Sequence, residues 1–194
     1  MARTKEFDPD AALQAALELF WRRGYEATTM SDLVEHLGIG RASIYATFGN
    51  KHQLYMKAMD CYLRTRDPLM LEELSAPGPA LPPVRALVRR FAEEAGTDEV
   101  RLTGCFITNS AAELGPHDGA VARRVELSWE QIETLLHASL ARARAQGELP
   151  GDRDPQALAR MLLVLMQGIR LVGKASSDPA RVRDAAEQAL SLLD

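Results

Sequence analysis

Three Asp-Pro pairs, Asp8-Pro9, Asp154-Pro155 and Asp178-Pro179, each stand directly before an apolar pattern of helical period. An Asp side chain at the N-cap accepts a hydrogen bond from an otherwise unpaired backbone N–H, and Pro in the first turn loses nothing by lacking one. Behind the first pair, Ala12, Leu13, Ala16, Leu17 and Phe20 predict a helix that stops at Gly24. Behind the second, Leu158, Leu162, Leu165, Ile169 and Val172 recur at steps of four, three, four and three. Behind the third come Val182, Ala186, Ala189 and Leu193. Thr29, with Asp32 as its box partner, predicts the start of a short helix through Leu33, Val34 and Leu37. Asn50 predicts another start, running through Leu54, Ala58 and Leu63 until Asp67-Pro68 bends or ends it. Asp118 opens a long pattern through Val121, Val125, Trp129, Ile132, Leu136 and Leu140 to Gly147, and Leu102 to Leu114 reads as one further helix. Strand alternation is nearly absent, so the pattern predicts an all-α chain of about nine helices.

The chain has 194 residues, 46% apolar and 26% charged, which supports a buried core and excludes a disordered or low-complexity polymer. The longest unbroken apolar run, Met161 to Met166, is too short to cross a bilayer. Arg3 and Lys5 lead into Glu6, Asp8 and Asp10 rather than an apolar stretch, so no secretory leader and no membrane partner are expected, and the cytoplasm is the expected compartment. Cys61 and Cys105 form neither a CxxC motif nor a disulfide framework. The net charge of −4 argues against a polyanionic partner until its distribution is considered. Between Glu35 and Asp60 there is no carboxylate, while Arg41, Lys51 and Lys57 fall inside that window. An acidic body with one carboxylate-free surface suits local binding to a polyanion.

That window coincides with the segment Thr28 to Lys51. A helix ending at Leu37, a turn through Gly38 with Ile39 tucked inward, and a second short helix from Arg41 to Thr47 make a helix-turn-helix, whose second helix fits the major groove of duplex DNA. Ile44 and Phe48 face the first helix; Arg41, Ser43, Tyr45, Ala46 and Thr47 face outward, with Ala42 beside them. Arg pairs with guanine edges or phosphates, hydroxyls serve either, and the Thr47 methyl suits thymine. Spacing alone also fits a tight αα-corner in any helical protein.

The run from Ala11 to Tyr55 resembles the DNA-binding domain of the TetR family of transcriptional repressors. The features that carry this are Arg23-Gly24-Tyr25 with Thr28-Thr29, the Leu37-Gly38-Ile39 turn, Ser43-Ile44-Tyr45, Phe48-Gly49, and Lys51 before Leu54. The resemblance implies a homodimer on a palindromic operator, with a three-helix DNA-binding domain over residues 1–50. A helical ligand-binding and dimerisation domain over residues 51–194 would begin with the connecting helix. It implies phosphate contacts for Thr28, Tyr45 and Lys51, with Thr29 alongside, and base contacts for Arg41, Ser43 and Thr47. The family often carries a bulky polar or aromatic pair after the tyrosine where this chain has Ala46-Thr47, so base preference does not transfer.

Farther on, Thr103-Gly104-Cys105-Phe106, then Asn109 and Glu113, resembles a subgroup of the family. Cys105, Phe106, Asn109 and Trp129 are the candidate lining of a small-molecule pocket. Against that stand plainer readings of Cys105 as a small core residue and Trp129 as core aromatic. A redox- or electrophile-sensing role for Cys105 is an alternative subtype. The stripes Leu158, Leu162, Leu165 and Ile169, and Val182, Ala186, Ala189 and Leu193, are the candidate dimer interface, unless both cover the subunit's own core. Gly38-Ile39-Gly40-Arg41-Ala42-Ser43 follows a helix rather than a strand and is no nucleotide loop. His36, His52, His117 and His137 lack metal-ligand spacing, and no nucleophile elbow or carboxylate pair appears. No enzyme activity, metal or cofactor is expected; an all-α enzyme or binding protein with a merely structural helix-turn-helix is the rival reading.

Overall fold

In the computed structural model, which describes residues 7–194, a helix follows each Asp-Pro pair, but at the third the N-cap is Pro179 rather than Asp178; Arg3, Lys5 and Glu6 lie outside the described residues. Asp8 Oδ1 accepts from the Asp10 and Ala11 amides and starts α1 (Pro9–Arg23). Asp154 caps α9 (Pro155–Ala175), and Asp178 accepts from Ala180 at the head of α10 (Ala180–Leu190). Thr29 and Asp32 form a full capping box on α2 (Met30–Leu37), and Asn50 forms another with Gln53 on α4 (Lys51–Ser75). Between them lies α3 (Arg41–Phe48), and α5 (Leu81–Glu94) follows the short connector 76–80, which holds Pro77 and Pro79. Asp118 caps α8 (Gly119–Ala145) through the Ala120 and Val121 amides. No strand occurs among the described residues, so the fold is all-α.

Among the described residues there are ten α-helices and a closing 3-10 turn (Ser191–Leu193), in keeping with the expected architecture of about nine. The stretch read as one helix from Leu102 to Leu114 is two, α6 (Asp98–Thr103) and α7 (Phe106–Glu113), broken at Gly104 and Cys105. Gly104 takes φ 67°, ψ −150°, a conformation that side chains disfavour. The carbonyls freed by the break are both used: Trp21 Nε1 donates to Gly104 O at 3.1 Å, and Asn109 Nδ2 to Thr103 O at 2.7 Å. Pro68 does not end α4, which continues to Ser75 with Met70 and Leu74 buried. The tertiary contacts of those side chains outweigh the loss of one intrahelical hydrogen bond.

Two apolar cores result. One joins α1, α2, α3 and the first half of α4 to α7 and the start of α8, around Phe20, Leu33, Ile44, Tyr55, Phe106 and Val121. The other joins the end of α4 to α5, α8, α9 and α10, around Leu74, Leu87, Leu136, Leu162 and Leu193. α4, 25 residues long, contributes to both.

The proposed dimer stripes prove to be the inner faces of α9 and α10. Leu158, Leu162, Ile169, Val182, Ala186, Ala189 and Leu193 are buried, and the half-buried Leu165 packs on the same core. α9 is apolar on nearly every side, and its period shows that a stripe exists without showing which stripe the neighbouring helices take. Its outward ridge is Val164, 71% exposed, and Leu171, 54% exposed, with the open Gly168 between them. Ile169→Glu, with a site 2% exposed, should therefore destabilise the fold by about 3–5 kcal/mol. Denaturant unfolding checks this: a variant as stable as wild type would move Ile169 out of the core.

Candidate nucleic-acid interface and the cavity behind it

Leu33, Ile44 and Phe48 are buried between α2, α3 and the rest of the first core, and Gly38 makes the turn at φ 65°, ψ 20°. This packing fixes the outer face of α3. Arg41, Ala42, Tyr45 and Ala46 are exposed there, with Ser43 and Thr47 half-buried beside them. Arg41 lies along the helix against Tyr45, its guanidinium 5.7 Å from the ring centroid and 3.4 Å from the hydroxyl. At the start of α4, Lys51 Nζ sits 4.1 Å from the Tyr25 ring centroid, an attraction that aims the ammonium without neutralising it. Lys57 Nζ donates to Thr47 O at 3.2 Å, placing a cation at the C-terminal end of α3.

Two carboxylates beside this unit are engaged in ion pairs, one of them Asp60, which shares a surface hollow with Tyr45, Ala46 and Thr47. Asp60 pairs with Arg124 at 2.9 Å and Asp32 with Arg23 at 3.0 Å. The Thr29 hydroxyl and amide, followed by Arg23, hold the Asp32 carboxyl below the usual carboxylate range. The surface is thus cationic locally although the chain is acidic.

Thr28 departs from its expected role at a phosphate. It is fully buried, and its hydroxyl donates to Gly24 O at 2.7 Å, so it shapes the turn between α1 and α2. Thr29 is exposed, with its amide and hydroxyl both donating to Asp32 at 2.7 and 2.6 Å.

Three polar clasps absent from the sequence reading tie this unit to the helices behind it. The Glu113 carboxylate, at the end of α7, accepts from the Tyr25 and Glu26 amides at 3.0 and 2.9 Å. Gly24 (φ 84°) makes room for it, since a Cβ there would stand 3.0 Å from both carboxylate oxygens. His52 Nε2 meets Asp118 Oδ2 at 2.7 Å, joining the head of α4 to the cap of α8. Bonds from the Val121 amide and from His52 are the leading causes holding the Asp118 carboxyl low. In the core, the Tyr55 hydroxyl meets Ser110 Oγ at 2.7 Å, and burial pushes the phenol up to about 12. These pairs are 55 to 88 residues apart in sequence, and no local pattern announces them.

The four candidate pocket residues do not line one cavity. Phe106 and Asn109 border a cleft of about 610 Å³ with Trp21, Gly24, Glu113 and Lys174. Trp129 instead packs between the two cores. Cys105 caps α7 in the interior, its sulfur 3.5 Å from the Tyr62 hydroxyl and 3.4 Å from Arg66. Burial opposes ionisation of that thiol, but the Arg66 guanidinium, with bonds from Thr108 and Tyr62, outweighs it and brings the pKa down to about 7. A second cavity, about 630 Å³, opens on the other side of the break, between α1, α4, α5, α6 and α9. Leu17, Trp21, Met70 and Phe91 give it apolar walls, and Arg66, Arg90 and Arg170 give it charge. This volume suits a small organic ligand.

Comparison with known proteins bears on both halves. Residues 12–57 match the family model described as bacterial regulatory proteins, tetR family, and residues 80–189 match tetracyclin repressor-like, C-terminal domain. The chain is 39% identical to the HTH-type transcriptional regulator YezE of Bacillus subtilis, with all of both chains covered. It is 31% identical to the HTH-type transcriptional repressor ComR of Escherichia coli, over 98% of this chain and 90% of that one. Among solved structures, a cysteine mutant of the TetR family transcriptional regulator CifR, complexed with 26-bp double-strand operator DNA, superposes with TM-score 0.85 at 28% identity, with all of both chains covered. With its helix-turn-helix and the helical body behind it both matched, the chain belongs to the TetR family of bacterial transcriptional regulators.

Proposed function

We propose that the protein is a cytoplasmic repressor that binds a palindromic operator as a homodimer and leaves it when a small molecule occupies the 630 Å³ cavity. The observation that carries this reading is the Glu113 clasp, because α7 holds the turn that sets α1 against α2 while α1 also walls the cavity. Residues 1–50 read as the DNA-binding unit and 51–194 as the sensing and dimerising unit. Arg41, Ser43 and Thr47 would read base edges, and Tyr45, Lys51 and the exposed Thr29 would hold phosphates. The outward ridge of α9, Val164, Gly168 and Leu171, is the surface for the second copy. Cys105, 5% exposed, favours effector binding in the cavity over the alternative of thiol sensing.

Release requires that the effector prefer the conformation unable to hold operator. Shifting a population from almost all bound-competent to almost none takes about 5.5 kcal/mol of differential binding, which two subunits can share.

Four measurements test this reading. Half-site centres of the selected operator should lie about 34–36 Å apart or somewhat more. Lys51→Ala should weaken binding to every duplex and reduce the salt slope by about one, while Arg41→Ala should erode preference for operator over random DNA. Fluorescence anisotropy against salt reads both, and wild-type behaviour in both variants would refute the interface. Val164→Glu with Leu171→Glu should give monomers of unchanged melting temperature by sedimentation and thermal unfolding; dimers of wild-type strength would place the interface elsewhere. Glu113→Gln should lower ligand-free operator affinity about tenfold, the cost of weakening two charge-assisted bonds. Unchanged affinity would remove the clasp from the coupling route.

A further inference from the structure

The side chains around the 630 Å³ cavity do not balance in charge. Arg90 is held by both oxygens of Glu73, and Arg170 by Glu94. Those two cations and two anions answer one another. Arg66 lines the same cavity, and among the described residues no carboxylate lies within ion-pair reach of it. Its Nη1 goes to the Tyr62 hydroxyl at 2.8 Å and to the Cys105 sulfur at 3.4 Å. Burial opposes its charge, but the Tyr62 and Cys105 groups overcome that and keep the guanidinium firmly protonated. Against its burial, the Cys105 thiol beside it is brought down to about 7 by that same guanidinium, but a thiol sulfur offers no two-oxygen acceptor to match the guanidinium fork.

A second observation points the same way. Arg170, 7% exposed, lines the cavity with its Nε buried and without a hydrogen-bond partner among the described residues. Both guanidiniums stand over the Phe91 ring, Arg66 at 5.3 Å and Arg170 at 4.2 Å from its centroid. Each ring face attraction lends a cation some support, yet neither supplies an acceptor for the remaining N–H groups. A withdrawn guanidinium that keeps its charge and lacks a carboxylate is costly unless a ligand supplies one.

We propose that the cavity binds a small organic carboxylate, with its anionic head on Arg66 and its apolar body against Leu17, Trp21, Met70 and Phe91. The planar fork of a guanidinium matches a carboxylate in two parallel bonds, which neither an amide nor an amine reproduces. The Glu73 and Glu94 carboxylates set the limit: already matched by Arg90 and Arg170, they leave room for one anion, and they repel a dianion. The proposal rests on the reading of this cavity as the effector site.

The test compares acids with their own neutral and cationic analogues. Butyrate to decanoate, phenylacetate and phenylbutyrate are titrated by calorimetry beside the matching primary amides and amines, and operator release is read separately by anisotropy. At least one acid should bind about tenfold more tightly than its amide, with its amine weaker still. Arg66→Gln should bring acid and amide to within about twofold while leaving ligand-free operator affinity intact. Should that variant fail to fold, Arg66→Lys, which keeps the charge and loses the fork, should retain a reduced acid preference. The assignment is overturned if every acid binds no better than its amide, or if amines bind best. An acid that binds without releasing operator would sink the effector reading and leave the site chemistry standing; release by a neutral compound alone would do the reverse.

Discussion

The carboxylate of Glu113 fastens the turn between α1 and α2 to the end of α7, beside the His52–Asp118 and Tyr55–Ser110 links. At the end of α1 the chain turns through Gly24, Tyr25 and Glu26, and two of the amides there have no helical partner. Left to water they would permit many orientations of α2 and α3. With a buried-side carboxylate accepting from both, the turn adopts the one geometry in which Leu33, Ile44 and Phe48 close on α1 and α4. The glycine is part of the same device, because its φ of 84° disfavours a side chain and a Cβ there would crowd both carboxylate oxygens at 3.0 Å. The exposed face of α3 is therefore oriented by a group 65 to 72 residues downstream of it, at the far side of the sequence's best-recognised segment.

How much of this was legible in the sequence follows from the range of the forces involved. Asp8, Thr29, Asn50, Asp118 and Asp154 cap their helices as read, because a cap bonds to amides two or three residues away. The inward turn of Ile44 and Phe48 was equally plain from their spacing. Gly104 was not: the apolar period continues through it, and the break is stabilised by Trp21, more than eighty residues earlier. Thr28 matches the family motif by letter, yet its side chain is spent on the Gly24 carbonyl. The α9 stripe failed for a related reason, since a helix apolar on several sides hides which side its neighbours will cover. The cavity was invisible for the strongest reason, being assembled from five helices separated along the whole chain.

Charge distribution follows one logic at two scales. Across the chain an acidic excess surrounds a window free of carboxylates, so a polyanion is attracted at one face and repelled elsewhere. Inside the cavity the pattern recurs in miniature, with paired Glu and Arg beside Arg66, for which no ion pair occurs among the described residues. In both places the pairing of most groups makes the unpaired ones selective.

The unbroken course of α4 has a mechanical consequence. Arg66 faces the cavity and Lys51 stands at the DNA end of the same helix, fifteen residues away, which at helical rise is about 22 Å. A rod of that length amplifies rotation: a tilt of about 5° imposed at Arg66 would displace the Lys51 end by about 2 Å. A phosphate contact spans about 3 Å and tolerates little of that. The two copies in a dimer would tilt in senses related by their two-fold axis, so the separation of their recognition helices would change by twice the component of one copy's displacement perpendicular to that axis.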